Sequence, residues 1–457
     1  MTSIPLPDEQ ALQEYVVARR WFGAKSREVA HARILEAPFL RDEPPVLALA
    51  LIEIGFHPGT HELYQVPLGF RPDTGLEGVI DRREGWAIYD ALADPELARA
   101  LVDLLDENRT VEGEHGVLEF RGEDVGKIGD VRPVGVEQSN TSLVFGERLI
   151  FKVYRRLEPG INPELELLRF LTERGFPNVP ALAGWYAYVG KPMDATLGVL
   201  QHFVRGKSDG WDFAFDALAS DPDSFLTQVP RLGEVTGAMH TVLGSEPGDS
   251  AFCPEEPSTE SLALLVASVD EEIERLFSNL PRDVDALEPI LNRGEEIREQ
   301  LRQVSSVGPF GKIIRHHGDY HLGQVIWTGD DWIVIDFEGE PARPLPERRR
   351  KRSPLRDVAG MLRSFAYAAN AATLTRGVEP PEDWEEQARE AFLDAYLSSV
   401  DTHLLPPGRE AIDRLLRVFE LEKAVYELRY ELDNRPDWVV IPVAGILRQL
   451  ATAVPGP

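Results

Sequence analysis

The stretch HHGDYHLGQVIWTGDDWIVIDFEGE, residues 316–340, contains two short apolar segments separated by a turn-forming sequence. Residues 325–327 and 333–335 are apolar and β-prone, and the intervening residues 328–331, Thr-Gly-Asp-Asp, are typical of a turn. The pattern therefore predicts a β-hairpin. If the turn centres near Asp330, cross-strand partners have numbers summing to about 660, a register that sets Gln324 opposite Asp336.

Three side chains with oxygen ligands lie around this predicted hairpin. Asp319 lies five residues before Gln324, in the loop that enters the hairpin, so its side chain can converge with those of Gln324 and Asp336. Mg²⁺ favours one or two carboxylates together with a neutral oxygen, and a further carboxylate can accept a proton from a hydroxyl nucleophile. The arrangement is typical of phosphoryl transfer.

The order of these residues resembles the catalytic and metal-binding loops of kinases, Asp-x4-Asn followed by Asp-Phe-Gly. The triplet at 317–319, His-Gly-Asp, lacks the Arg of protein kinases and resembles the aminoglycoside-phosphotransferase branch. Gln324 stands where most of those enzymes have Asn, and its side chain still offers a carbonyl oxygen to a metal. The spacing of His316, His317 and His321 lacks a known zinc pattern, so we expect them to hold the loop by hydrogen bonds.

A second hairpin is predicted in residues 142–154. The turn Gly146-Glu147 separates its strands, and this turn sets Lys152 opposite Thr141. The polar loop before the first strand can present N–H and hydroxyl donors to phosphate oxygens, and Lys152 can supply a positive charge. The candidate phosphate ligands are Lys152, Gln138, Ser139, Asn140, Thr141 and Ser142.

Two further segments are candidates for nucleotide binding. A helix predicted to begin at Asn162 carries Glu164 and Glu166 in its first turn; either could pair with Lys152, and both could also serve only as partners of the helix dipole. We favour Glu166 slightly. The candidate adenine-binding residues, which could equally form a plain strand end, are Gln201, Phe203 and Val204.

Composition limits the partners. A formal charge of −29 excludes nucleic acid and anionic membranes as expected partners, because either would need a large basic surface. Positive charge is concentrated at residues 347–352 and Arg356. This basic segment either binds the nucleotide or forms a solvated loop.

Two features of the sequence indicate the cellular compartment. The single Cys253 excludes an internal disulfide, and the first residues, MTSIPLPDEQ, lack the features of a signal peptide. We therefore expect a cytoplasmic protein.

The distribution of elements predicts three parts. Apolar strands at 46–56 and 62–70 indicate a small α+β cap in residues 1–88. Residues 89–204 begin with a helix that Asp94 caps and continue with a β-rich lobe carrying the nucleotide site. Residues 205–457 are mainly helical and carry the catalytic and sugar sites.

Over most of its length the chain resembles bacterial maltokinases, kinases of the aminoglycoside-phosphotransferase-like family. The resemblance rests on RRWFGAKSR, EQSNTSLVFGERLIFKVYRR, GINPELE, HHGDYHLGQV, IDFEGEPARPLPERRRKRSPLRDVAGMLRSFAYAA and FELEKAVYELRYELDNRPDW. It implies an α+β, bilobal protein-kinase-like fold with an N-terminal cap. It also implies ATP- and Mg²⁺-dependent phosphorylation of maltose at its anomeric hydroxyl, giving maltose 1-phosphate for α-glucan synthesis from trehalose.

The resemblance also implies roles for particular residues. Asp319 corresponds to the catalytic base, and Gln324 and Asp336 correspond to the magnesium ligands, Gln being the family's own choice. Polar groups hydrogen-bond sugar hydroxyls and aromatic faces stack on sugar rings. The expected sugar contacts, which could otherwise be packing residues of a terminal helix, are Tyr426, Glu427, Tyr430, Asn434, Arg435 and Trp438.

Two alternatives stay open. A glucosamine kinase shares the scaffold, and its cationic substrate would need carboxylate partners such as Glu338, Glu340 or Glu427. An inactive pseudokinase serving as an interaction module would lack a base or metal residue, and here all are present. Trehalose synthase, to which the domain is sometimes fused, is a candidate partner; we expect no such fusion here, and a monomer or homodimer.

Overall fold

The computed structural model divides the chain into two compact units. One contains residues 1–172 and 180–205, and the other contains residues 173–179 and 206–457. The predicted cap and most of the predicted β-rich lobe thus fall in one unit, while residues 173–179 of that lobe fall in the other. The three-part division at 88 and 204 stays a prediction. No helix in the described part of the chain is long and apolar enough to cross a membrane. The structure describes residues 4–123, 125–126, 128–135, 139–305 and 310–451.

The first sheet of the first unit has two buried faces. Its region contains α1 Glu9–Val17, β1 Val29–Glu36, β2 Phe39–Arg41, β3 Val46–Phe56, β4 Thr60–Pro72, β5 Asp81–Arg83 and β6 Trp86–Asp90. The antiparallel order is β1-β3-β4-β6-β5, with β2 beside β3. β3 pairs with β4 along its whole length, which confirms the two predicted strands. Alternate residues of β3 belong to two different cores, so nearly the whole strand is buried.

The second sheet of the first unit carries the predicted nucleotide residues. Its region contains α2 Pro95–Asp106, β7 Thr110–Glu112, β8 Gly116–Gly122, β9 Val131–Pro133, β10 Asn140–Phe145, β11 Leu149–Tyr154, β12 Arg156–Leu157, α3 Pro163–Glu173, β13 Leu182–Gly190 and β14 Ala195–His202. The order is β7-β8-β13-β14-β11-β10-β9, and β12 pairs with β4 of the first sheet. Asp94 caps α2 by accepting a hydrogen bond from the Glu96 N–H, as predicted.

The register of the β10–β11 hairpin differs from the prediction by one residue. Lys152 lies opposite Ser142, and Thr141 lies opposite Val153. The chain reverses at Gly146 and Glu147, both with positive φ, and Arg148 N–H closes the turn on the Phe145 carbonyl. Side chains alternate between the two faces of a sheet. The shift of one residue therefore places the Thr141 and Lys152 side chains on different faces.

The second unit is mainly helical. Its elements are β15 Ser208–Asp209, α4 Gly210–Ser220, α5 Pro222–Leu226, α6 Val229–Leu243, α7 Thr259–Phe277, α8 Gly294–Ser305, β16 Val325–Trp327, β17 Trp332–Val334, α9 Leu345–Arg348, α10 Leu355–Arg376, α11 Trp384–Ser399, α12 Arg409–Asn434 and α13 Val440–Ala451. Helix α6 approaches α11 closely at Gly233 and Gly237, where a Cβ atom would overlap α11. These two glycines, one turn apart, therefore fix the close helix packing.

The β16–β17 hairpin also differs from the predicted register by one residue. Val325 pairs with Val334 and Trp327 with Trp332, so partner numbers sum to 659 rather than 660. Gln324 consequently faces Ile335, whose N–H donates to its carbonyl at 2.9 Å. Asp336 follows the ladder with a φ of 63°, a left-handed conformation that turns the chain out of the strand direction.

Candidate active site

A buried carboxylate holds the loop that contains Asp319. Asp357, in the first turn of α10, accepts hydrogen bonds from the N–H groups of His317 at 2.8 Å and Gly318 at 3.0 Å. His240 Nε2 lies 3.1 Å from the same carboxylate. Burial raises the pKa of Asp357, but the neighbouring histidines outweigh burial and hold this pKa well below its ordinary value. The ionised carboxylate thus fixes the loop backbone, and the φ of 86° at Gly318 turns the chain toward Asp319.

The histidines of this loop act as structural groups. His317 Nε2 lies 2.9 Å from the carbonyl oxygen of Ile335, which ties the loop to the residue before Asp336. His321 accepts a hydrogen bond from the Gly323 N–H at 3.0 Å. Burial lowers the pKa of His316 to about 3, so this side chain is neutral at pH 7. His317 and His321 thus form hydrogen bonds within the loop as expected, whereas the buried Nδ1 of His316 has no hydrogen-bond partner among the described residues.

The carboxylate of Asp319 is placed to accept a proton. Its side chain is 23% exposed, with Lys423 Nζ 3.8 Å from Oδ1 and His321 Nε2 3.8 Å from Oδ2. Both distances exceed hydrogen-bonding range, so neither contact occupies the carboxylate oxygens. Asp319 lines two cavities of the second unit, of about 210 and 510 Å³.

A group of oxygen ligands surrounds the end of β17. A carboxylate oxygen of Asp336 and one of Glu338 lie within 4.8 Å of each other, close enough to share a cation. Gln324, at the end of the short 3-10 helix Leu322–Gln324, is joined to this segment through its backbone bond with Ile335. This donor set of carboxylate and amide oxygens fits Mg²⁺. Glu338 was expected only as a carboxylate partner of a cationic sugar, and the Asp-x-Glu spacing of residues 336–338 is the sequence signal for a metal role.

In the first unit, Lys152 pairs with Glu164, whereas the prediction slightly favoured Glu166. Lys152 Nζ lies 3.0 Å from Glu164 Oε2, and the Tyr154 hydroxyl donates to the same oxygen at 2.7 Å. Asn162 caps α3 by accepting the Glu164 N–H at 2.8 Å, which sets the side of the helix that faces β11. The pair is buried, with the Glu164 side chain only 1% exposed.

The predicted phosphate-binding loop is only partly on the Lys152 face. Ser142 pairs with Lys152 across the hairpin, and Asn140 pairs with Tyr154. The Ser142 and Asn140 side chains therefore lie on the same face of the sheet as Lys152. Thr141 does not; it lies on the opposite face, where it accepts a hydrogen bond from Arg155 Nε at 2.8 Å. Ser139 is exposed just before β10, and Gln138 lies outside the described residues.

The predicted adenine segment is at the end of β14. Gln201 is buried on the Lys152 face, and among the described residues its Oε1 atom has no hydrogen-bond partner. The N–H of Phe203 donates to the Arg148 carbonyl at 2.8 Å, so this N–H is not open to a ligand. Val204 follows as a half-buried residue beyond the strand.

The larger cavity lies along α12, and we refer to it as the α12 cavity. Four of the six predicted sugar contacts line it, namely Tyr426, Glu427, Tyr430 and Arg435. Asn434 and Trp438 lie outside its lining: the Asn434 amide donates to the Tyr430 carbonyl at 2.8 Å, and the Trp438 ring packs 4.4 Å from the Arg435 guanidinium. Trp211, Tyr367 and Lys423 also line the cavity and were not predicted, and Glu340, expected only for a cationic sugar, lines it as well.

Three glutamates of the α12 cavity are paired with arginines, whereas Asp319 has no arginine partner among the described residues. Glu427 contacts Arg363 at 2.7 Å, and Glu431 contacts Arg435 at 2.6 Å. Glu340 contacts Arg343 at 2.6 Å. Burial raises the pKa of Glu340, but the Arg343 hydrogen bond and charge outweigh burial and keep this pKa below its ordinary value. Each of these three carboxylates is thus matched by a protein cation.

Comparison with known proteins places this geometry in a family. Residues 130–373, more than half of the chain, match the phosphotransferase enzyme family, and residues 15–94 match the maltokinase N-terminal cap domain. Glucosamine kinase of Streptacidiphilus jiangxiensis is 26% identical over 325 residues, 68% of this chain and 71% of the relative. Glucosamine kinase of Mycolicibacterium smegmatis is 27% identical over 395 residues, 82% of this chain and 92% of the relative.

Solved structures agree on the fold. A glucosamine kinase in complex with glucosamine, ADP and inorganic phosphate aligns with a TM-score of 0.71 at 22% identity, covering 95% of this chain and 98% of that chain. This chain and the solved glucosamine kinase thus share one fold, and it is the α+β kinase-like fold predicted from the sequence. The chain therefore belongs to the phosphotransferase enzyme family, with an aminoglycoside-phosphotransferase-like kinase fold and a maltokinase-type N-terminal cap domain.

Proposed function

We propose that the protein transfers the γ-phosphoryl group of ATP to a sugar hydroxyl. The observation that carries this proposal is the Asp319 carboxylate, which lines the α12 cavity with no hydrogen-bond partner on either oxygen in the described chain. Asp319 would accept the hydroxyl proton as the sugar oxygen attacks the γ-phosphorus. The bond from that phosphorus to the β,γ-bridging oxygen breaks, and ADP leaves.

Residues of both units have roles in this reaction. Lys152, held by Glu164, would bind the α- and β-phosphates as a positive charge, with Ser142 and Asn140 on the same face. Asp336, Glu338 and Gln324 would hold Mg²⁺, which neutralises charge on the transferring phosphates when bound. The buried Gln201 amide would contribute to recognition of adenine.

For the acceptor we propose maltose, phosphorylated at the anomeric hydroxyl to give maltose 1-phosphate. Glu340, Glu427 and Glu431 are paired with arginines, so the proposed base Asp319 is the one lining carboxylate of the described cavity without an arginine partner. An ammonium group would have to compete for that base, and this supports a neutral sugar. A cavity of about 510 Å³ has room for a disaccharide, and the match to a maltokinase cap is consistent with this choice.

Glucosamine is the second candidate acceptor. The relatives described above are glucosamine kinases, and one solved relative contains glucosamine. The α12 cavity also contains several carboxylates, which a cationic sugar could approach by displacing an arginine. Identities of 22–27% leave room for a different sugar specificity.

A product-resolved assay of ADP release distinguishes these candidates. Maltose, glucosamine, glucose and trehalose are offered separately with Mg–ATP, and each product is identified by mass and by the position of its phosphate. We expect the highest kcat/KM for maltose. A higher kcat/KM for glucosamine would identify glucosamine, not maltose, as the acceptor. The absence of sugar-dependent ADP release would favour the pseudokinase alternative.

Association with trehalose synthase and a monomeric or homodimeric state are also part of this proposal. Maltose 1-phosphate formed here would supply the donor for α-glucan synthesis from trehalose. Light scattering of the purified chain, alone and mixed with trehalose synthase, measures both properties. If the mass of the chain is unchanged when trehalose synthase is added, the two proteins do not form a stable complex.

A further inference from the structure

The basic segment at residues 347–352 forms one wall of a third cavity in the second unit, which we call the basic cavity. Its volume is about 480 Å³, and Asp319 is not among its lining residues. The cavity is amphipathic. Cationic side chains come from Arg350, Lys351, Arg352 and Arg356, and the apolar lining comes from Pro257, Leu265, Phe310, Ile313, Leu415 and Phe419.

Two of the four cations lack a counter-charge. Lys351 is satisfied by Glu255 and by the carbonyl of Cys253, and Arg356 contacts another carboxylate. The side chains of Arg350 and Arg352 form no ion pair or hydrogen bond with any residue that the structure describes. In a chain whose formal charge is −29, two unpaired arginines in one cavity create a local positive potential.

The surroundings of Arg352 strengthen this potential. Burial lowers the pKa of Arg352, and the like charges of Arg356, Arg343 and Arg350 lower it further. The guanidinium stays protonated at neutral pH, so the repulsion is retained in the folded protein. An anion bound here would relieve that repulsion, and a guanidinium pair is suited to a tetrahedral phosphate.

We propose that the basic cavity binds a small organic phosphate, with the phosphate on Arg350 and Arg352 and the nonpolar body against Leu265, Phe310 and Phe419. The cavity volume suits a ligand of this size. The apolar lining favours an organic phosphate over the free ion, since burying an attached ring or chain adds a hydrophobic contribution.

This cavity shares a wall with the catalytic cavity of about 210 Å³. Arg356 and Phe419 line both cavities. Arg356 contacts Glu422 at 2.7 Å on the catalytic side, and the next residue, Asp357, holds the Asp319 loop. A phosphate in the basic cavity would compete with Glu422 for Arg356 and so change the wall of the catalytic cavity.

Phenyl phosphate tests the proposal by titration calorimetry on the full chain. Saturating Mg–ADP keeps the probe from the nucleotide site, and no turnover is needed, so the result is independent of the proposed function. We expect binding that weakens roughly 10-fold for each of Arg350→Gln and Arg352→Gln, since each removes a charge-assisted contact. Leu265→Ala should weaken phenyl phosphate but leave inorganic phosphate unchanged.

The matched control is Arg282→Gln, an exposed arginine of the same unit outside the cavity. It removes the same charge from the chain and should leave the affinity unchanged. Circular dichroism establishes that each variant is folded, which we expect because removing like charges relieves repulsion. Equal affinity of the wild type and the Arg350→Gln, Arg352→Gln double variant, or absence of binding at about 10 mM phenyl phosphate, would overturn the proposal.

Discussion

Asp319 combines carboxylate oxygens that lack a hydrogen-bond partner in the described chain with a place in the lining of the α12 cavity, two properties that suit a general base. We expect Asp319→Asn to lower kcat by roughly 10²–10⁴-fold, because an amide cannot accept the proton, while nucleotide affinity stays nearly unchanged. Sugar-dependent ADP release and calorimetry with Mg–ADP measure the two effects. Asp330→Asn, at the exposed end of the hairpin, removes the same charge and should retain full activity. Retention of most turnover by Asp319→Asn would contradict the assignment.

Asp357 contributes to stability through its ionised form. Its pKa is lower in the folded than in the unfolded chain, so its contribution is fully present above the ordinary Asp pKa of about 3.9 and is lost as pH falls below it. At pH 7, Asp357→Asn should lower the free energy of unfolding by roughly 3–5 kcal/mol, because buried donors lose a charged acceptor.

Urea unfolding of the wild type and the Asp357→Asn variant at pH 7 and near pH 3.5 checks this prediction. We expect the difference in unfolding free energy between the two proteins to shrink at the lower pH. A difference that is equal at both pH values would mean that ionisation of Asp357 is not what holds the loop.

Glu164 and Glu166 allow the Lys152 pairing to be tested within one helix turn. Glu164→Gln should raise the KM for ATP, because Lys152 loses the carboxylate that positions it at 3.0 Å. Glu166→Gln is the comparison variant and should change this KM less. An effect of equal size from both substitutions would count against a specific role for the Lys152–Glu164 pair.

At the scale of elements, one face of α12 forms much of the α12 cavity wall. Lys423, Tyr426, Glu427, Tyr430 and Glu431 are spaced three and four residues apart and therefore share that face. Tyr430→Ala should lower kcat/KM for the sugar by roughly 5- to 150-fold, about 1–3 kcal/mol, with ATP affinity unchanged. Asn434→Ala, on the same helix but outside the cavity lining, should have little effect. If both variants lose activity equally, the cavity is not the sugar site.

For the whole molecule, the dominant electrostatic property is a formal charge of −29. Self-repulsion destabilises a compact state, and salt screens it: the Debye length falls from about 30 Å at 0.01 M to about 8 Å at 0.15 M ionic strength. We expect Tm to rise between these two concentrations of sodium chloride. The salt dependence is measured by differential scanning calorimetry, with sucrose at matched osmolality as the control. A falling Tm would mean that favourable ion pairs outweigh the net repulsion.

The sequence alone determined the features that depend on local patterns. Both hairpins, the Asp94 cap and the kinase-like order of Asp319, Gln324 and Asp336 follow from turn residues, periodicity and spacing. The resemblance to maltokinases adds the family and the fold. These features could be predicted because they are fixed within a few residues of chain or by a specific motif.

Only the tertiary structure decided which side chains meet. Each hairpin register shifted by one residue, which moved Thr141 away from Lys152 and placed Asp336 beyond the ladder. The contact of Lys152 with Glu164 depends on which side of α3 packs on β11. The α12 cavity includes Trp211 from α4 and Tyr367 from α10, residues far from α12 in sequence. Packing of distant elements decides such contacts, and no local pattern records which faces they present to each other.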